Sequence, residues 1–309
     1  MPPQSQIQDT IEETEFESVA GGLDHSVEAD IAEIRNLLAG YAGDASLLKE
    51  LIQNAEDAES EELILRLLPG DPEAPHPLLQ NPALVVINDG DFTPANFSAM
   101  KRASLGSKAA DTKSIGRFGK GLKSVFSIAE AFFIFSQTDR ALGWKSQEGF
   151  YLMNPWKHQR QAWSDQAKSE RDEISQYLLR QFATLDTPER PRLGLWLPLR
   201  QSKQSQGEQF IRNLFPNEAG DFAQSLANSL EGLSQQLVLL RNLKQVSLWK
   251  GQTCFAQIAF GDTGQRMPAP ESSGGNVRGT IVYSEGETQT TLAYTIHSIH
   301  ASEPFGDLT

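Results

Sequence analysis

Wound as a helix, the stretch 47–60, LLKELIQNAEDAES, has two distinct faces. Leu48, Leu51, Ile52 and Ala55 recur at helical spacing and form an apolar stripe. Glu50, Asn54 and Asp57 fall at i, i+4 and i+7, so they stack over two turns of another face. A carboxylate that orients water, beside an amide oxygen that ligands a cation, is what nucleotide hydrolysis needs. A solvated surface face has the same pattern, and polar helix faces are common. The segments downstream decide between the two readings.

Two such segments follow in order. Residues 84–93, LVVINDGDFT, are a β-branched run ending in Asn-Asp-Gly, and residues 115–126, IGRFGKGLKSVF, carry three glycines that open a helix. A helix with E-x-x-x-N-x-x-D, a strand into N-D-G and then G-x-F-G-x-G resembles the GHKL ATPase superfamily of gyrase, heat-shock chaperones, histidine kinases and MutL. Within it, these segments together with GLWLPLR (194–200) and LVLLRNLKQVSLW (237–249) look most like the chaperone-like ATPase unit of sacsin-type proteins. The likeness spans about 30–251. It implies a Bergerat fold: an α+β, two-layer α/β sandwich with a mostly antiparallel mixed sheet.

The resemblance also implies roles. Glu50 becomes the catalytic base, Asn54 the ligand of Mg2+, and Asp57 a supporting group in the ATP site. An aspartate at the end of the second strand accepts from the adenine amino group in such proteins. Ungapped alignment puts Asn88 there, with Asp89 beside it; a carboxylate accepts without needing a particular flip, which favours Asp89. Gly90 then lets the base approach closely. Gly116, Arg117, Phe118, Gly119, Lys120, Gly121 and Leu122 form the phosphate loop, where glycines present backbone N–H groups to an anion at a helix start. This is not a Walker P-loop, since Leu122 and Lys123 follow the last glycine rather than Lys and Ser or Thr. Residues 104–114, SLGSKAADTKS, are the expected lid, with Ser107 and Lys108 reaching phosphate oxygens. Relatives carry Gly-Thr in the last sheet strand; Leu195 stands in place of that threonine and removes a hydroxyl from the adenine end. Arg200 reads as an exposed strand-end residue or a phosphate contact.

Composition limits the partners. The chain has 309 residues and a net charge of −13, with 40 acidic against 27 basic side chains, so a global basic footprint for nucleic acid is absent. Cys254 is the single cysteine, which excludes an intrachain disulfide and fits the cytoplasm. The longest apolar run, 125–135, is too short to span a bilayer and is interrupted by Glu130. The first residues lack the basic and apolar regions of a signal peptide.

Organisation follows from pattern. Residues 1–27 read as a disordered acidic tail, in a position where some superfamily members swap a segment across a homodimer. Residues 28–251 read as the ATP-binding domain, and 252–309 as a β-rich segment that begins a further domain, so the chain reads as the front piece of a longer protein. Residues 222–243 carry a leucine stripe predicting one long helix, and 156–186 read as charged, partly helical and without chemistry. The expected function is slow, magnesium-dependent ATP hydrolysis that closes a lid and rearranges attached domains around a protein client or partner. The alternative is a non-hydrolysing nucleotide switch that recruits a partner, and the missing threonine at Leu195 favours it. His25, His76, His158, His297 and His300 do not sit on a coiled-coil-like helix ahead of the unit, which speaks against a histidine kinase.

Overall fold

The computed structural model describes residues 27–40, 44–90, 119–136, 150–153, 168–183, 193–201, 211, 216, 222–237, 240–260 and 276–297. Alternating apolar residues build a nine-stranded sheet: β1 (Glu62–Leu68), β2 (Ala83–Asn88), β3 (Phe132–Ser136), β4 (Phe150–Met153), β5 (Leu193–Pro198), β6 (Gln245–Lys250), β7 (Thr253–Phe260), β8 (Asn276–Glu285) and β9 (Thr288–His297). Their spatial order is β4-β3-β5-β2-β1-β6-β7-β8-β9. Only β1 and β6 run parallel; every other neighbouring pair is antiparallel. The α+β class and the mixed, mostly antiparallel sheet are therefore as the sequence implies.

One face of the sheet meets a helical layer. Helix α1 (Val27–Ala39) contributes Ile31, Ile34 and Leu38, and α2 (Asp44–Asp57) contributes Leu47, Leu48, Leu51, Ile52 and Ala55. The single turn α3 (Gly119–Leu122) leads into a 3-10 turn at Lys123–Ser127, which adds Val125 and Phe126. Helix α5 (Phe222–Leu237) adds Leu226, Ala227, Leu230 and Leu233. Against them stand Leu63 and Leu65, Leu84 and Val86, Leu195 and Leu197, Val246 and Leu248, in the period-2 pattern of strands buried on that side. Each fully buried Leu or Ile is worth roughly 1.5–3 kcal/mol relative to exposure, which is why this stripe pattern dominates the fold.

The other face is covered as well, over β5, β2 and their neighbours. Val85, Ile87, Phe133 and Trp196 pack against Leu79 and against Ile174, Tyr177 and Leu178 of α4 (Lys168–Ala183). The Tyr177 hydroxyl donates to Asp71 Oδ2 at 2.9 Å, and its ring meets Trp196 edge-on. Helix α4 thus supplies a partial third layer. Further along the same sheet, Arg66 lies 4.7 Å over the Trp249 ring and donates to Gly251 O and Gln252 Oε1.

One expectation needs correction. The helix predicted over 222–243 ends at Leu237; Leu243 is buried but not helical. Residues 251 and 252 form the turn between β6 and β7, which are hydrogen-bonded neighbours. Ala256, Ile258, Ile281 and Tyr283 join the same core as α2 and β1, so the strands on both sides share one sheet. Among the described residues, no helix is long and apolar enough to cross a membrane.

Candidate nucleotide site

Helix α2 is held at both ends. At its start, the Ser225 hydroxyl of α5 donates to Asp44 Oδ2. At its end, Ala58 N donates to Asn54 O at 3.1 Å and Ser60 N to Ala55 O at 3.0 Å, with Glu59 in the left-handed region at φ 56°. Glu56 turns away from the sheet and accepts backbone N–H groups from Arg241 at 2.6 Å, Asn242 at 3.0 Å and Leu243 at 2.9 Å. Those bonds terminate the leucine-striped region before β6 and fix the last turn of α2 against it. Between the two anchors, Glu50 and Asn54 are half-buried.

Their neighbour is Gly121. A β-carbon built on Gly121 would run into Glu50 Oε2, and it would lie 3.5 Å from Asn54 Oδ1. The carboxylate and the amide oxygen of α2 therefore converge on a backbone that carries no side chain. The 3-10 turn that follows is fixed from behind. Lys123 is buried and its Nζ donates to Glu33 Oε1 of α1 at 2.8 Å. Asp57 is half-buried on α2, with Glu50 and Asn54.

The second-strand end has a different character. Alternation along β2 puts Asn88 on the helix-facing side with Leu84 and Val86. Its sheet neighbours in register are Leu63 and Leu193, both in the apolar core. Asn88 is 8% exposed, and its Oδ1 accepts from Gly90 N at 3.1 Å. Asp89 is occupied elsewhere. Its Oδ1 accepts from the Ser60 hydroxyl at 2.7 Å and from the Glu61 and Glu62 N–H groups at 2.9 Å each, capping the entry to β1. Burial pushes the Asp89 carboxyl up, but the bonds from Ser60, Glu62 and Glu61 outweigh it and hold it below the ordinary carboxylate value. The preference for Asp89 as the base acceptor thus meets a carboxylate engaged by β1, while Asn88 is the residue on the helix-facing side. Gly90 is buried against Ala58: an added β-carbon would lie 2.7 Å from the Ala58 β-carbon and 2.5 Å from its carbonyl oxygen. Leu195, opposite Val86, is buried on the helix-facing side.

Ser107, Lys108, Gly116, Arg117 and Phe118 lie outside the described residues, as does the expected lid. Gly119, Lys120, Gly121 and Leu122 form α3. Arg200 is neither exposed nor a phosphate contact. It is 2% exposed, pairs with Glu130 through Nε, and donates to the carbonyls of Ser127, Phe126 and Ala129. Glu130 also accepts from Ile211 N at 3.1 Å. An acid inside the apolar run 125–135 was the visible signal, because a charge buried there requires a partner. Glu56 had no such signal.

The residues fit a magnesium–nucleotide pair on one observation: the surface of Gly121 that a side chain would fill is faced by one carboxylate and one amide oxygen. Magnesium takes few protein ligands and keeps several waters, which suits so sparse a donor set. Among the described residues, no cluster of three or more His, Cys, Asp or Glu could hold a metal by itself.

A family model described as the Sacsin domain matches residues 28–257. Human sacsin (Homo sapiens) is 35% identical over 112 residues, an alignment that takes in 33% of this chain and 2% of that protein's length. The crystal structure of the B-subunit of DNA gyrase from Myxococcus xanthus aligns over 82% of this chain and 67% of that chain, with a TM-score of 0.35 and 10% identity.

Proposed function

Because the chain belongs to the Sacsin domain family, we propose that it binds a nucleoside triphosphate with Mg2+ and hydrolyses it slowly. ATP is the nucleotide that the GHKL resemblance implies. The observation that carries this reading is the convergence of Glu50 and Asn54 on Gly121. Two segments far apart in sequence, α2 and α3, supply a carboxylate, an amide oxygen and a glycine backbone without a side chain at one place.

In this reading Glu50 orients the attacking water and takes its proton, as a carboxylate within hydrogen-bond reach of a reacting water does. Asn54 holds Mg2+, which when bound neutralises charge on the phosphate oxygens. The backbone of Gly119–Leu122, with Gly116, Arg117 and Phe118 before it, cradles the phosphates. Asp57 supports the site through hydrogen bonds, and Ser107 and Lys108 close over it from the lid. The anchors at Asp44 and Glu56 keep α2 in position while the nucleotide arrives, so catalysis is chiefly positioning and charge stabilisation. Lid closure is then transmitted to attached domains and to a protein client or partner, in the cytoplasm and in a form that includes a homodimer.

A second reading is a switch that binds nucleotide and recruits a partner without turnover. Leu195 favours it, because an apolar side chain stands where relatives hold the base through a hydroxyl. Phosphate release from wild type and Glu50→Ala, measured beside calorimetric binding, separates the two. Turnover in wild type that falls at least about hundredfold in the variant, with binding retained, supports hydrolysis. Tight binding with no turnover in either protein supports the switch, and equal turnover removes Glu50 from the chemistry.

A further inference from the structure

We infer that β9 is the surface through which two copies of this chain associate, edge to edge and antiparallel, with Ala293 opposite its own counterpart. The inference names an interface for the homodimer included in the reading above, and it does not depend on nucleotide binding.

Strand β9 (Thr288–His297) ends the sheet, and among the described residues β8 is the strand hydrogen-bonded to it. Sheet edges are ordinarily blunted by charge, proline, a bulge or shortness. Here β9 has none of these devices. It is 10 residues long and contains no Asp, Glu, Lys, Arg or Pro. Its register with β8 is unbroken, from Glu285 opposite Thr288 to Asn276 opposite His297. Gln289, Thr291, Ala293 and Thr295 are all exposed.

The hairpin fixes which backbone groups are open. Glu285 and Thr288 flank a two-residue turn with Gly286 at φ 56°, so they bond each other. Alternation then turns the N–H and C=O groups of Gln289, Thr291, Ala293 and Thr295 away from β8. Gly286, one step out of phase with Glu285, donates its N–H to Phe255 O of β7 at 3.1 Å, as this alternation requires.

Two conditions select the partner strand. Residues directly opposite each other share a face, and open groups must meet open groups. An antiparallel copy centred on Ala293 meets both. Ala293 faces Ala293, Thr291 faces Thr295, and Leu292 faces Tyr294. Leu292 and Tyr294 are partly buried at the margin of the core, and each gains an apolar neighbour across the axis. A second copy supplies that match twice, by symmetry. Charge agrees with this choice. The net charge of −13 opposes association through the acidic surface, whereas the paired strands are uncharged. The acidic turn residues go to opposite ends: the two copies of Glu287 stand about 40 Å apart at about 3.4 Å per residue, far beyond a screening length of about 8 Å.

The test is sedimentation equilibrium of the full chain without nucleotide, up to about 200 µM, because one strand pair is a small interface and small interfaces are weak. Wild type is expected to dimerise. Ala293→Lys sets like charges face to face on the axis and should weaken the dimer at least about tenfold. The site is exposed, and a thermal melt checks that the variant folds. In a Cys254→Ser background, Ala293→Cys should cross-link on mild oxidation, because opposite residues of a hydrogen-bonded pair have Cα atoms about 5.5 Å apart, within disulfide reach. Thr295→Cys in the same background should not, since its two copies stand four positions out of register. A wild type that stays monomeric overturns the inference and leaves the edge to an unlike chain. A dimer unmoved by Ala293→Lys in a folded variant overturns it too, as does a cross-link at 295 in place of 293. None of these results touches the nucleotide site, whose failure is read by calorimetry instead.

Discussion

The Glu50 carboxylate occupies the space that a side chain on Gly121 would need. The obstructing atom is the far end of a flexible side chain, so the backbone itself has room. Gly121→Ala should therefore fold with less than about 1 kcal/mol lost from stability, the obstacle yielding by rotation rather than by movement of the core. Function should suffer far more, because the yielding group is the carboxylate proposed as the catalytic base. Urea unfolding beside nucleotide turnover reads both quantities; a parallel loss of stability and activity would contradict this picture.

Gly90 makes the opposite case. The atoms an added methyl would strike are the Ala58 carbonyl and β-carbon, at the end of α2, and these cannot swing aside. Gly90→Ala should lower stability by about 1–3 kcal/mol, the usual penalty for forcing a methyl into a packed contact. The midpoint of denaturant unfolding measures it, and a shift within experimental error would show that α2 and β2 have slack between them.

Arg200 and Glu130 form a buried pair. Removing one partner leaves a charge without compensation, so Arg200→Met should cost about 3–5 kcal/mol, whereas replacing both residues with apolar groups should cost much less. Comparing unfolding free energies of Arg200→Met, Glu130→Leu and the double variant tests this; additive losses would mean the two groups act independently.

Asp89 gives a pH dependence with a definite sign. Its carboxyl lies below its ordinary value in the folded chain, because the bonds from Ser60, Glu62 and Glu61 overcome the effect of burial. A depressed carboxyl contributes stability that is fully present above its unfolded pKa and is lost as pH falls through the folded one. The gap in melting temperature between wild type and Asp89→Asn should therefore be widest at neutral pH and narrow in acid. A gap constant from pH 7 down to pH 3 would be the contrary outcome.

Much of this architecture was legible in the sequence, for a local reason. Strand β1 follows from its apolar run, and the two faces of α2 from period-3.6 spacing. What escaped were features set by distant partners. The leucine spacing of α5 continues through Leu240 and Leu243, yet the helix ends earlier, because the N–H groups of Arg241–Leu243 are taken by Glu56. Arg200 looked exposed because its partner lies 70 positions away. The engagement of Asp89 by β1 was not legible because its donors lie 27 to 29 positions upstream. Helix α4 looked inert because only a few of its residues, Ile174, Tyr177 and Leu178 among them, are apolar and buried.

The single parallel pairing has a consequence for how the molecule assembles. Strand β1 is made early by a ribosome, but the strand that covers its open side is β6, whose neighbour Lys244 lies 183 positions after Glu61. Until that segment emerges, Leu63, Ile64 and Leu65 sit on an uncovered strand flank, where an extended hydrophobic segment of any other chain can pair. Synthesis interrupted before β6 would thus leave a nascent polypeptide with its most adhesive border showing, dependent on a holdase to keep it in solution.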